Sequence, residues 1–460
     1  MANAHAPGVQ RILSAPVAGE LWRLATPNVL AVAMMTAVTF FDAWFVGQLG
    51  TAALASLALA FPFLTLMVMM AGGSIGGAAT SSVARALGAG ALERAESLAW
   101  HSVLLALAMS VLFMIVLGLF ARPVFQLLGG EGAALAGAVG YARIAFGGAA
   151  ATWFVWVISA IHRGTGDTAT PARAIAIAST AQIAVSGALT LGWFGLPAMG
   201  VAGTAVALVV CQGAAAAWLA GLLVRGAGRL RLRPQPLRWA SFTDLMSVGG
   251  IGLVNSVCMA MTVVVVTGLV GRHGTEALAG YGLGARLELM LVPIAFGVGA
   301  ALTAAVGVNV GAGQFARARR FAWTGAGATL ALTGLMGACV AVVPGLWLDL
   351  FTADPGAYEF GVLSLTIAAP FYGLFGAGQA FYFASQGTGR MVLPVTVSFI
   401  RFLGVVAGGA LAAALGWGVA AVFVAVAVGL TLMGAGQALC LLGPGWRAAR
   451  PGGAKVPARR

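Results

Sequence analysis

Asp42 is the residue whose chemistry is hardest to assign to scaffold. It is the one ionisable group in the apolar run from Leu24 to Leu49, LATPNVLAVAMMTAVTFFDAWFVGQL. A carboxylate inside a membrane-spanning helix costs about 2.5–3.5 kcal/mol on insertion scales, so it usually marks a pathway or a proton site. Pro27, in the same run, removes a helical hydrogen bond and is a candidate bend point. Asn28 in the same run, and Gln182, Ser186 and Gln212 in other apolar stretches, are neutral polar residues. They can cap Asp42 or contact a substrate, although bonding between helices is the commoner use of such groups. Arg286 and Glu288 stand together deep in a later apolar run, placed to neutralise each other or to line a cleft. Arg401 is close enough to a helix end to snorkel to the surface.

Other chemistries are poorly supported. The GTGD at 164–167 spells the GxGD of intramembrane aspartyl proteases, which need two carboxylates sharing a proton. Asp167 is expected at the opposite membrane face from Asp42, so no dyad can form. The four histidines are scattered, and Cys211, Cys258, Cys339 and Cys440 form no CxxC. No metal set, nucleotide loop or Ser-His-Asp arrangement is found, and the chain is read as neither an enzyme nor a metal or cofactor binder.

The elements that must position these residues follow from composition. Of 460 residues 60% are hydrophobic and 8% charged, with a mean hydropathy of +0.98. Such a chain has too little polar surface to cover a soluble core of its size, and reads as an all-α polytopic membrane protein. Apolar runs of spanning length fall at 24–49, 53–84, 97–120, 135–161, 170–192, 198–224, 246–270, 277–308, 321–347, 357–384, 391–414 and 416–442. Twelve spans place both termini on one side of the membrane. The net charge of +13 comes from arginines placed singly between apolar runs, a pattern of membrane orientation rather than nucleic-acid binding. With both termini in the cytoplasm, the inner segments hold most of these basic residues and the outer ends hold only Arg122, Arg143, Arg272 and Arg286. Residues 1–23 and 443–460 are then cytoplasmic tails, 24–224 and 245–442 two six-helix bundles, and 225–244 (RGAGRLRLRPQPLRWASFTD) a basic cytoplasmic linker.

The two halves repeat. VGQLGTAALASLAL (46–59) aligns with VGRHGTEALAGYGL (270–283), LGAGALERAESLAW (87–100) with VGAGQFARARRFAW (310–323), and GTGDTATP (164–171) with GTGRMVLP (387–394). The offsets are 224, 223 and 223 (270 − 46, 310 − 87, 387 − 164). Six spans per copy keep both copies facing the same way, so this is a parallel repeat about an axis along the membrane normal, with substrate expected between the bundles. Gly88, Gly90, Gly311 and Gly313 are expected in tight turns just past the second and eighth helices. Asp42 aligns with Val265 or Val266 and is therefore not demanded by the shared scaffold.

At these residues the sequence resembles the multidrug and toxic compound extrusion (MATE) family over essentially its whole length. The resemblance is carried by Pro27 and Asp42, FVGQLG (45–50), ARALGAGALERA (84–95), RGTGDTATP (163–171), ARLE (285–288) and VGVNVGAGQFARAR (306–319). It implies twelve helices in two bundles and export of organic cations or amphipathic drugs by alternating access, coupled to inward proton or sodium flow. Bacterial relatives often place Asn and Asp four apart in the fifth helix; here Gln182, Ser186 and Gly187 stand there. The sodium-coupled branch carries acids where this chain has Met259 and Phe375, so the chain looks more like the branch of the DNA-damage-inducible F protein.

The expected function is therefore a secondary-active multidrug exporter of a bacterial inner or plasma membrane, with Asp42 carrying the coupling ion. That ion is expected to be a proton, with sodium as the rival. No cofactor is expected, and the partners are a small cationic or amphipathic substrate and the bilayer, with no nucleic acid and the chain acting as a monomer. The alternative within the same superfamily is a flippase for lipid-linked oligosaccharides or peptidoglycan precursors, which would need more cations in its spans to hold a pyrophosphate. Topology is checked by replacing the four cysteines and placing one at Gln235: it should resist membrane-impermeant maleimide in intact cells and react after lysis. Reaction in intact cells would overturn the orientation.

Overall fold

The structure, a computed structural model, describes residues 6–226, 230–352, 354–443 and 446, apart from the side chain of Leu289. Among them are helices and turns and no strand. A short helix α1 (Pro7–Ser14) precedes the first spans, α2 (Val17–Gly47), α3 (Thr51–Gly88) and α4 (Leu92–Leu119). The fourth span is a pair, α5 (Gly132–Ala145) and α6 (Ala149–Gly164), bent by 49°. α7 (Ala169–Leu191) and α8 (Val201–Val224) complete the N-terminal lobe. The second lobe is α9 (Trp239–Gly271), α10 (Thr275–Gly311), α11 (Phe315–Val342), α12 (Pro355–Thr388), α13 (Val392–Ala414) and α14 (Val419–Cys440). Eleven helices, or twelve spans with the bent pair taken as one, are long and apolar enough to cross a membrane.

Several helices outrun their apolar segments. α2 begins at Val17, not at Leu24, because Glu20 and Arg23 continue the helix as an ion pair, Nε to Oε2 2.9 Å, which Arg11 of α1 joins at 3.7 Å. The basic stretch 225–244 is docked. Leu230 is buried, and the backbone N–H groups of Arg231 and Arg238 donate to Glu96 (3.0 Å) and His101 Nε2 (2.9 Å) on α4. Its last six residues already belong to α9, where Asp244 pairs with Arg85 (2.9 Å) and Arg94 (3.0 Å). Of the tail 443–460, only Gly443 and Trp446 lie within the described residues.

The repeat extends to single hydrogen bonds. Thr80 Oγ1 donates to the Ala160 carbonyl at 2.9 Å, and Thr303 Oγ1 donates to the Phe383 carbonyl at 2.9 Å. Each pair lies 223 residues from its counterpart (303 − 80, 383 − 160). Gly164 lets α6 lie against Val83 and Thr80 of α3, and Gly387 lets α12 lie against Val306 and Thr303 of α10.

The glycines expected in turns divide into two kinds. Gly90 and Gly313, each with φ +74°, do make the turns after α3 and α10. Gly88 and Gly311 are instead helical and form the closest contact between the lobes. A Cβ on Gly88 would run into the Val308 carbonyl, and one on Gly311 into the Arg85 carbonyl. Because Val308 and Arg85 are themselves repeat equivalents (308 − 85 = 223), the contact is reciprocal about the pseudo-two-fold axis.

This contact closes one end of the molecule. From Ala71 to Gly88 almost every residue of α3 is buried, and from Ala295 to Val308 so is nearly all of α10, whereas their other halves are largely exposed or half-buried. Further bonds cross the seam at the closed end. Ser74 and Ser256 hydroxyls meet at 2.9 Å, and Gln386 Nε2 donates to the Gly73 carbonyl at 2.8 Å. Gly73 lies in a stretch of π-helix, Met69–Ile75, a wide turn often found at functional positions. The contacts named across the seam all lie away from the ends of α2 and α7 that bear Asp42 and Ser186.

The closed end can be tested by overpacking. Gly88→Val or Gly311→Val should force the helices apart, at a cost of about 1–3 kcal/mol for such overpacking. A cysteine replacing the buried Ser81 should then react with a small maleimide about ten times faster or more. Unchanged labelling would contradict the contact.

Candidate functional site

Asp42 lies five residues from the end of α2, and Ser186 five from the end of α7, so parallel packing of these two spans sets them at one depth. Ser186 Oγ donates to Asp42 Oδ1, and the Gln182 side chain one turn away donates to the same carboxylate. Both donors are buried. Gly187 makes the approach possible: a Cβ there would lie 2.7 Å from Trp193 and 2.8 Å from Phe45. Phe45, nearly one turn beyond Asp42, packs edge-on against Trp193 with centroids 5.5 Å apart. The Tyr141 side chain, wholly enclosed by α5 and its neighbours, lies within electrostatic range of Asp42.

The result is a single half-buried carboxylate held by neutral donors near the ends of α2 and α7. Among the described residues the other acids of the N-terminal lobe lie at helix ends or in loops: Glu20 at the start of α2, Glu93 and Glu96 at the start of α4, Glu131 before α5 and Asp167 before α7. With no cation paired to it, the carboxylate can take up a proton or a cationic group, and one excludes the other.

The remaining candidates are dispersed. Asn28 is buried fourteen residues below Asp42 on the same helix and donates to the Leu24 carbonyl at 3.1 Å. Pro27 is within α2, which runs on through it as a single helix. Asp167 Oδ1 accepts from the Thr170 backbone N–H at 3.0 Å, a cap for α7 far from Asp42.

Arg286 and Glu288 do not neutralise each other. Residues two apart on a helix point to nearly opposite faces. Arg286 is exposed, with its guanidinium 5.8 Å from the Phe351 ring centre. Glu288 turns into the second lobe, hydrogen-bonds Tyr372 and faces Arg401. Arg401 is correspondingly not a surface anchor. It is 7% exposed, donates to the Met259 sulfur at 2.8 Å and leaves its Nε without a partner. α9 and α10 cover it, closing the path to the surface that its short distance from the start of α13 suggests.

Sequence reasoning missed Phe45 and Trp193. A glycine beside Ser186, set against aromatics near both helix ends, is the one signal that could have found the pair.

Comparison with known proteins places this geometry. The chain is 27% identical over 383 residues to the probable multidrug resistance protein NorM of Thermotoga maritima, covering 83% of this chain and 82% of that one. Its fold matches a MOP superfamily transporter from Pyrococcus furiosus, described as having a binding pocket of reverse polarity, with TM-score 0.88 and 21% identity over 95% of this chain and 97% of that one. It also matches an outward-facing multidrug resistance MATE family transporter with TM-score 0.87 and 21% identity over 94% and 96% of the two chains. The MatE family model matches residues 27–187 and again 252–411, one copy in each lobe, and the chain belongs to the MATE family of multi-pass membrane transporters.

Proposed function

We propose that the protein exports cationic or amphipathic organic compounds in exchange for protons, with Asp42 as the group that both ligands contest. The observation that carries this reading is the Asp42 carboxylate bonded by Ser186 and Gln182 at the open end of the cleft. An exporter must release its substrate outside and reload from the cytoplasm, and a proton arriving from outside at this carboxylate cancels the charge that holds a cation. The loss of that attraction favours release. The proton is then carried inward as the lobes rock about their seam, and it leaves when the site faces the cytoplasm.

In this reading the arginine-rich end, where α3 and α10 touch, is cytoplasmic, with both tails and the docked linker beside it. The structure is then outward-facing: closed at Gly88 and Gly311 and open at Asp42. The neutral partners fit the role. Ser186 and Gln182 orient the carboxylate without supplying a positive charge that would replace the cation, and both can bond it in either protonation state. The apolar, adaptable walls of such a cleft suit a range of substrates.

Purified protein in liposomes, with proton and sodium gradients imposed separately, tests this. An inward proton gradient should drive export of a fluorescent cation, and a sodium gradient alone should not. Asp42→Asn should insert normally and lose proton-driven export by a hundredfold or more, whereas Ser186→Ala should lose about tenfold, as removal of one hydrogen bond to a charged group costs about 1.5–3 kcal/mol. Sodium-driven export, or an active Asp42→Asn variant, would refute the assignment.

A further inference from the structure

The start of α11 carries more charge than the fold pairs, and the transport mechanism does not use it. Arg317, Arg319 and Arg320 occupy its first two turns, with no acid in the first turn. Together with Trp323, Thr324 and residues Pro16–Ala18 of the first lobe, they line an open notch of about 580 Å³. Among the described residues no carboxylate is in ion-pair contact with any of the three. Arg317 is spent on the chain, donating to the carbonyls of Ile12 (3.0 Å) and Ala15. Arg319 gives one N–H to the Trp446 carbonyl at 2.9 Å and is otherwise exposed, as is Arg320.

The repeat supplies an internal control. At the equivalent positions of α4 the first lobe has Arg94, Glu96 and Ser97, with Glu93 a residue earlier. There acids stand beside the cation: Arg94 pairs with Asp244 at 3.0 Å, and Glu96 accepts the backbone N–H of Arg231 at 3.0 Å. The scaffold thus forms this corner without surplus cations. In the second lobe Arg319 and Arg320 stand in place of the acid and the serine, and among the described residues no acid pairs with them.

We propose that this notch binds the phosphate headgroup of an anionic membrane lipid. Guanidinium groups match phosphate oxygens in a two-pronged geometry, and basic pockets between membrane helices are suited to such headgroups. The lipid source, rather than a soluble phosphate, follows from Trp323. It is 56% exposed, stacks edge-on against Phe381 at 5.0 Å, and lies about one turn further along an apolar helix than Arg319 and Arg320. An exposed tryptophan there sits at headgroup depth beside acyl chains. Because Pro16–Ala18 belong to one lobe and the arginines to the other, a bound headgroup touches both and favours the closed seam.

Full-length protein in phosphatidylcholine nanodiscs provides the test, with the thermal midpoint read as phosphatidylglycerol is added to the bilayer or inorganic phosphate to the buffer. The wild-type midpoint should rise and saturate with phosphatidylglycerol. Arg320→Gln, which leaves the bond to Trp446 intact, should need about fivefold more of it for the same rise, and the Arg319→Gln/Arg320→Gln variant about 25-fold more. Arg390→Gln, an exposed arginine at the same end, should respond as wild type. Equal responses of wild type and the Arg320 variants, an equal loss in Arg390→Gln, or stabilisation by inorganic phosphate with none by phosphatidylglycerol would each overturn the proposal.

Discussion

Two helix backbones that touch without side chains between them hold the molecule in its present shape. At Gly88 and Gly311 a helix of each lobe presents bare Cα to a carbonyl of the other, Val308 in one direction and Arg85 in the other. Interiors this tightly packed do not deform continuously, so such a seam is either made or broken. With it made, the buried halves of α3 and α10 form one continuous wall with α12, and their other halves part. The half-buried Asp42 and the buried seam lie toward opposite ends of the molecule, and the proposed mechanism links them. In the proposed mechanism the opposite state must separate these glycines and close the Asp42 end.

The chemistry is asymmetric on this symmetric frame. The first lobe holds one carboxylate with neutral donors, and so can exchange ligands of positive charge. The second lobe also holds a half-buried acid, Glu288, but sets it facing Arg401 and bonds it to Tyr372. Taking one member of such a set out of a low-dielectric interior leaves the other uncompensated, which makes this cluster a poor place for a mobile cation. In the proposed mechanism a division of labour follows: the first lobe exchanges ions, and the second is internally neutralised. The cost of burying an acid in each lobe is met differently, by access to a cleft in one case and by a permanent partner in the other.

Much of the frame was legible from sequence because spans are long and the repeat recurs at nearly one spacing. Twelve apolar runs became eleven long helices and one bent pair, and the aligned blocks became equivalent contacts. Helix ends were not legible, since hydropathy marks only the apolar part of a helix and ion pairs such as Glu20 with Arg23 extend it. The meeting of Asp42 with Ser186 and Gln182 was foreseeable, as neutral donors in a span seek a partner. Arg401 was misread because distance along one helix says nothing of which neighbours cover it. Arg286 and Glu288 were misread because proximity in sequence was taken for proximity in space, against the helical period. Gly88 and Gly311 look like turn glycines in sequence, being beside real ones; only the packing of the two lobes shows that they serve contact.

The central claim is that one carboxylate is contested by a proton and a cationic substrate. It is tested most directly by counting protons released when substrate binds to the purified protein, by calorimetry in buffers of different ionisation enthalpy at a pH where the site is protonated. The account predicts about one proton released per cation bound by the wild-type protein and none by Asp42→Asn. Binding of a cation to the wild-type protein across the pH range with no proton released would contradict it.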